Sequence, residues 1–344
     1  MSATLRDVAE AAGVSVMAVS KVLHGRGATV RVGAQTAERI RAVAQELRYQ
    51  PNSIARSLRS RQTQTVGVVL QHFDRLTEQN PYYPQVFNGI MGALFPAGYT
   101  LAICPKLVQR SDEGLIADGR FDGVLWCRPD FTEASVQGLR HSSVPVVMMH
   151  APPGSAPGVP TFCANNDGAL RLVVRHLAEL GHRRIGFVID PINAVSAEGR
   201  ARAAAFEVAV AEAGLTGDVL TWEYESEELQ KYREGDPPHT ALAAFSDYHA
   251  GRLLDACTRF GIHVPDDLSV VGFDSSAFCE TTSPRLTSVS QPVERIAYEA
   301  TTHLLSLIDG DISRTSPDSL RSFIYDCGLD VRDSTSHPRS SPKR

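Results

Sequence analysis

None of the six cysteines, Cys104, Cys127, Cys163, Cys257, Cys279 and Cys327, forms a C-x-x-C pair. Without paired spacing, buried reduced thiols are expected rather than a metal site or a disulfide framework. No run of 18 apolar residues occurs, so no membrane-spanning helix is read. The first residues, MSATLRDVAE, lack an apolar stretch behind a basic start. No secretory signal is read there, and a cytoplasmic location is expected. Catalytic signatures are missing too. GRGATV lacks the third glycine of G-x-G-x-x-G, and G-x-x-x-x-G-K-S/T, H-E-x-x-H and G-x-S-x-G do not occur. Serines follow Asp274 in GFDSSAF, but no histidine is placed by sequence to activate them. No enzymatic activity, cofactor or metal is therefore expected.

What is present fits a soluble chain of two or three domains: 344 residues, 43% apolar and 21% charged. The net charge of −5 conceals a division. Residues 1–61 hold ten Lys and Arg against four Asp and Glu, net +6, while the rest holds 24 against 35, net −11. A basic head on an acidic body suggests that the head meets a polyanion.

The head opens with TLRDVAEAAGVSVMAVSKVL, Thr4 to Leu23. Thr4 and Asp7 form a capping-box-like start, and Leu5, Val8, Ala9 and Ala12 recur at helical spacing. Gly13 can end that helix, and Ser15 is a natural N-cap for the next. Val19, Val22 and Leu23 then face inward, leaving Val16, Met17, Ser20 and Lys21 outward. A third helix from about Thr36, with Ile40, Val43, Ala44 and Leu47 as its stripe, supplies the wall that two short helices need. This is a helix-turn-helix closed by a third helix. Apolar Val16 and Met17 can touch thymine methyl groups in a major groove, and Lys21 can reach a guanine edge or a phosphate. Arg26 and Arg31, in a glycine-rich loop, read equally as phosphate contacts or as a solvated loop. In YQPNSIARSLRSRQTQT, Asn52 can cap a two-turn helix through Ser53, Ala55, Arg56 and Leu58, with Arg59 just beyond. A helix that short is marginal alone. It reads as a plain linker or as a segment that folds on DNA, with Leu58 wedged into a minor groove among arginines.

The two stretches together resemble the DNA-binding head and hinge of the lactose-repressor family, which includes the galactose and purine repressors. The resemblance implies that Val16, Met17 and Lys21 take base-reading positions and that Leu58 intercalates at the operator centre. The loop after the recognition helix is about three residues longer here than in the lactose repressor.

In the body, nine strand candidates alternate with helical patterns: 65–70, 99–104, 122–127, 144–149, 184–189, 219–224, 240–245, 268–273 and 323–328. Near-continuous apolar strands between helices predict parallel sheets covered on both faces. So many strands fit two doubly wound lobes with a ligand cleft between them. The expected fold is α/β: an N-terminal all-α helix-turn-helix head plus a two-lobed, periplasmic-binding-protein-like body. The expected division is 1–50 for the head, 51–62 for hinge helix and linker, 63–332 for an effector-binding and dimerisation domain, and 333–344 for a disordered Ser/Pro-rich tail.

Ligands of parallel sheets sit at strand carboxyl ends. There Asp274 matches the family's effector-contacting aspartate. Arg202 matches an effector-binding arginine, with Arg200 as competitor. Tyr82 and Tyr83 in NPYYPQV match two cleft aromatics, and an aromatic face can stack on a sugar or base. Asp247 matches the second member of an Asn-Asp pair, although Ser246 replaces the Asn. Trp222 or Tyr224 supplies a further aromatic. His150 and Asn165 stand where aspartates are usual, which implies either a less cationic or less polyol-like effector or merely different surface bonding.

The resemblance implies a homodimeric regulator, a repressor, on pseudo-palindromic double-stranded operator DNA. A small-molecule effector, a carbohydrate or related metabolite, controls it, and no membrane is involved. A solute-binding protein of the same body fold is the alternative, but it predicts a signal peptide and no basic head.

Overall fold

The computed structural model describes residues 3–24, 31–50, 62–70, 82–104, 119–127, 133–222, 227–233 and 237–339. The chain divides into two compact units, Met1–Thr63 and Gln64–Arg344.

The first unit contains α1 (Leu5–Ala11), α2 (Val16–His24) and α3 (Ala34–Glu46). At the start of α1 the capping box closes in both directions. The Thr4 backbone N–H donates to Asp7 Oδ2 at 2.8 Å, and the Asp7 N–H donates to Thr4 Oγ1 at 3.3 Å. Donation to Asp7 Oδ2 by the Thr4 N–H and hydroxyl holds the exposed Asp7 carboxyl below its usual range. Ser15 Oγ accepts from the Ala18 N–H at the start of α2. The small core joins Val8, Ala9, Ala12, Ala18, Val19, Ile40 and Ala44. Leu47, expected on the inner stripe of α3, is exposed, because α3 ends at Glu46 and Tyr49 packs in its place.

The second unit holds two six-stranded sheets. The first has the order β11-β5-β4-β3-β1-β2 and is parallel throughout. Its strands are β1 (Thr65–Leu70), β2 (Thr100–Ile103), β3 (Gly123–Cys127), β4 (Val146–Met149), β5 (Thr161–Ala164) and β11 (Ser322–Tyr325). The second has the order β12-β10-β9-β8-β6-β7, parallel except for the β10–β12 pair. Its strands are β6 (Arg184–Ile189), β7 (Thr216–Thr221), β8 (Ala241–Ala244), β9 (Ser269–Phe273), β10 (Thr287–Ser290) and β12 (Gly328–Asp330). Helices α4 (Tyr82–Leu94) and α10 (Val293–Asp309) cover one face of the first sheet, and α5 (Glu133–Arg140) contributes to the other. In the second lobe, α6 (Asn166–Glu179) and α8 (Ala197–Glu212) cover one face and α9 (Asp247–Phe260) the other; the short α7 (Pro191–Ala194) precedes α8.

The chain passes between lobes after β5, after β10 and after β11. All three passages leave from strand carboxyl ends, so the ligand-binding ends of both sheets lie beside the same set of crossings. Asn165 ties two of them. Its Oδ1 caps α6, its Nδ2 donates to Asp326 Oδ1 at 2.9 Å, and its N–H donates to the Tyr325 carbonyl at 2.7 Å.

The expected strands fall short of this sheet plan in identifiable places. β5 and β10 are not among them. β10 reads TSVS, a polar string, because its hydroxyls are hydrogen-bonded inside the lobe rather than packed as hydrocarbon. The 219–224 segment lies three residues too late: the strand is Thr216–Thr221. The single run at 323–328 is two strands in different sheets. The tail is not free through residue 339 either. Ser334 is buried, its Oγ donates to the Val270 carbonyl at 2.6 Å, and it accepts from the Thr287 N–H at 2.9 Å. The Ser336 carbonyl is bonded by His182 Nε2, and Arg339 pairs with Asp267. Serine hydroxyls that look solvating in sequence here serve as backbone partners.

Candidate functional site

Two surfaces depart from ordinary side-chain partition. On α2, Val16 and Met17 are 39% and 63% exposed, while Ala18 and Val19 on the opposite side fill the core. Helical spacing forces this: the inward stripe leaves positions 16 and 17 at the free first turn. Ser20 and Lys21 are half-buried one turn further on, Arg31 is exposed, and Thr4 is engaged in its capping box. Arg26 and the hinge residues Asn52, Ser53, Ala55, Arg56, Leu58 and Arg59 lie outside the described residues.

The second surface is at the facing strand ends of the body. Arg202 on α8 is 5% exposed and its guanidinium lies 3.7 Å over the Phe273 ring. Its Nη1 donates to the Phe245 carbonyl at 2.6 Å, and its Nε donates to Glu198 Oε1 at 3.1 Å and to Asn166 Oδ1 at 3.3 Å. Arg200, the competing candidate, is exposed and bonds the Val195 carbonyl. Asp274, just past β9, has φ +127°, a region costly for a non-glycine residue and common at functional sites. Gln291 Nε2 donates to its Oδ1 at 2.5 Å. Burial, followed by the neighbouring Asp247 charge, pushes the Asp274 carboxyl well above the usual range.

From the first lobe come Tyr82, Tyr83 and His150. The Tyr82 ring meets those of Tyr83 and His150 edge-on, at 5.7 and 5.2 Å. His150 follows β4 at φ +55°. Burial, with the Arg202 charge adding to it, holds its imidazole down to about 3, so it is neutral at physiological pH. Burial dominates the shifts of Tyr82, Cys127 and His150, with smaller contributions from charges of the second lobe. Asp274 and Arg202 act on the Tyr82 hydroxyl, Arg202 acts on His150, and Glu198 acts on the Cys127 thiol.

Two further sequence candidates take other places. Asp247 is fully buried and accepts four bonds: from the Ser276 N–H and Oγ, both at 2.8 Å, from Ser288 Oγ at 2.5 Å and from Cys279 Sγ at 3.1 Å. Three of the four donors fall on Oδ2 and one on Oδ1, so this fully buried carboxylate is committed to its own loop. It organises the loop that carries Asp274. Trp222 packs edge-on against Tyr232 at 5.9 Å in the apolar cluster under α9, and Tyr224 lies outside the described residues.

Sequence reading missed Glu198, Asn166, Gln85, Gln291 and His249. His249 bonds Ser246 Oγ at 2.7 Å and Asp190 Oδ2 at 2.8 Å, which helps keep the Asp190 carboxyl low against its burial. Only Glu198 left a signal: an acid four residues before Arg202 shares its helix face. Among the described residues, buried side-chain atoms without a hydrogen-bond partner include Gln85 Nε2, His150 Nε2, Glu198 Oε2 and Gln291 Oε1. Such atoms are rare in native proteins, and each calls for a partner or an explanation. No group of three or more His, Cys, Asp and Glu among the described residues could hold a metal, and no described helix is long and apolar enough to cross a membrane.

A groove-reading helical head and a two-lobed receptor with a polar cleft define a ligand-responsive DNA-binding protein. Residues 4–52 match the model of bacterial regulatory proteins of the lacI family, and residues 174–335 match a periplasmic binding protein-like domain. The chain is 30% identical over 319 residues to the HTH-type transcriptional repressor PurR of Aliivibrio salmonicida, covering 89% of this chain and 92% of that one. It is 31% identical over 311 residues to PurR of Photobacterium profundum, covering 87% and 90%. Among solved structures, the lac repressor dimer bound to operator and the anti-inducer ONPF superposes with a TM-score of 0.81 at 23% identity, covering 98% of this chain and 100% of that chain. The complex of the transcriptional regulator CelR with cellobiose gives a TM-score of 0.67 at 28% identity, covering 96% and 99%. The chain belongs to the lacI family of bacterial regulatory proteins. It is a DNA-binding transcriptional regulator with an effector-binding, periplasmic-binding-protein-like domain. The matched relatives are transcriptional repressors, not enzymes.

Proposed function

We propose that this regulator is a homodimeric repressor of a pseudo-palindromic operator, released or engaged by a small metabolite with sugar-like hydroxyl chemistry. Residues 1–50 are the duplex reader, 51–62 the hinge and 63–332 the receptor. The observation that supports this reading most directly is the water-exposed apolar first turn of α2, Val16 and Met17, set beside Lys21. Apolar groups there meet thymine methyls, and the lysine meets a base edge or phosphate. Arg31 and the Thr4 end of α1 contact phosphates, which fix register rather than sequence. A two-fold dimer places two α2 helices in successive major grooves.

In the receptor, Arg202, Asp274, Tyr82, Tyr83 and His150 contact the effector, while Asp247 and Trp222 support it from behind. The effector binds one relative arrangement of the lobes better than the other and so shifts the DNA-competent population, with a coupling of about 1–3 kcal/mol.

Selection of duplexes from a random pool by the full chain tests this. A two-fold symmetric motif is expected, with log affinity falling by roughly 0.9 per log unit of salt for each phosphate neutralised. Binding with no preferred duplex, or with a flat salt response, would overturn it.

A further inference from the structure

The cleft carries a carboxylate whose two oxygens are treated unequally. Glu198 is 5% exposed, in the first turn of α8. Its Oε1 accepts from Asn166 Nδ2 at 3.1 Å, from Arg202 Nε at 3.1 Å and from Arg202 Nη2 at 3.1 Å. Its Oε2 is buried and has no partner among the described residues. An ion pair built for stability would use both oxygens against the guanidinium fork, since the bidentate arrangement is the strong one. Here the fork is spent on one oxygen, on the Asn166 amide and on the Phe245 carbonyl. Leaving half a buried carboxylate unsolvated is costly. A ligand donor at Oε2 removes that cost only when the site is filled.

The surroundings set the sign of the ligand. Arg202 is already matched by Glu198, and its flat face is covered by Phe273. His150 is neutral and offers no charge. The other acidic group that feels the Glu198 and Arg202 charges is Asp274, whose carboxyl burial pushes up, and Gln291 beside it leaves an acceptor, Oε1, without a partner among the described residues. An anionic group entering here meets acceptor oxygens and no uncommitted cation among the described residues. A hydroxyl, amide or amine donor meets oxygens that need it.

We infer that Glu198 is the selectivity residue of this cleft: it cancels Arg202 and presents Oε2 to a donor, so that the protein takes an uncharged, donor-rich ligand and rejects the anionic form of the same molecule. This rests on the effector-cleft reading above and narrows it to ligands without a carboxylate or phosphate at the end seated on Arg202.

The test is a thermal-shift and calorimetric comparison of matched pairs on the full chain. The pairs are neutral hexoses with their uronic acids and 6-phosphates, neutral disaccharides with their phosphates, and nucleobases with their nucleoside monophosphates. The same series is run on Glu198→Gln and Glu198→Ala. Glu198→Gln keeps the shape, and its unliganded melting point reports that it folds. Expected is stabilisation of the parent by a neutral member but not by its anionic partner, by at least about tenfold in affinity. The ratio should fall or reverse in both variants, because Arg202 is then free to take the anion. Parent protein that binds an anionic member as well as its neutral counterpart would overturn the inference and leave the cleft standing. So would variants that keep the parent's ratio. No shift from any compound, in parent or variants, would overturn the inference together with the effector-cleft reading beneath it.

Discussion

On the head, Val16 and Met17 stand in water; in the body, Glu198, Arg202 and Asp274 stand out of it. Each arrangement is unfavourable in isolation and each marks a surface awaiting a partner, but the partners differ in kind. DNA offers methyl groups and phosphates at a rigid groove, so the head can present a small preformed face on a core of seven buried residues. A small metabolite offers only a few donors and acceptors. The body must therefore hold matching groups in fixed positions, and it uses apolar clusters on both faces of both sheets to do so. The comparison teaches that an exposed apolar residue costs little to keep, whereas a buried charge must be bonded from several elements at once.

The largest effect that would sharpen this contrast is in the body. Arg202→Ala leaves Glu198 buried without its cation and should destabilise the receptor by about 3–5 kcal/mol in urea unfolding. A loss below about 1 kcal/mol would show that the pair is solvated. Next is Gly272→Ala. Its new Cβ would fall 2.5 Å from Asp247 Oδ1 and 2.8 Å from Leu286, so about 1–3 kcal/mol should be lost. A neutral result would mean that Asp247 is not locked inward.

The third is pH dependence. Burial holds His182 down to about 4, against about 6.5 in an unfolded chain. The unfolded state binds the extra proton first, so His182 costs stability as pH falls from about 6.5 toward 4, at up to about 1.4 kcal/mol per pH unit. Its full contribution is present above that window. His182→Gln, followed by urea midpoints at pH 7, 5.5 and 4.5, should remove that one-proton slope; an unchanged slope would refute the assignment. The smallest effect on folding is in the head. Met17→Ala should change stability by less than about 0.5 kcal/mol yet cost about 1 kcal/mol of preference for one operator base pair in competition binding. A large melting shift would place Met17 in a core.

The head was the most legible part, because its signals are local. The capping box, Gly13 at φ +64° and the apolar spacing each act within a few residues. Leu47 misled because helical spacing continues through a residue that the helix has already released. In the body, apolar runs announced most strands, but Thr287–Ser290 did not, since its hydroxyls answer to Asp247 and to the tail. The tail read as solvated for the same reason: the Ser334 and Ser336 hydroxyls find backbone partners more than sixty residues away. Motif matching singled out Asp274, Arg202 and Asp247 alike, and could not tell that Asp247 is bonded to four donors of its own loop. Glu198 passed unnoticed because a glutamate on an alanine-rich helix is ordinary until its surroundings are known.

The order of amino acids alone determined the three-helix head and the alternation that makes two largely parallel sheets. These follow from periodicity and capping, which act over one or two turns. Only the tertiary structure decided which charged groups are buried together, how Glu198 divides its two oxygens, and that the tail closes on β9. Those outcomes depend on where distant segments bring donors and acceptors together, and burial gives each such meeting its energetic weight.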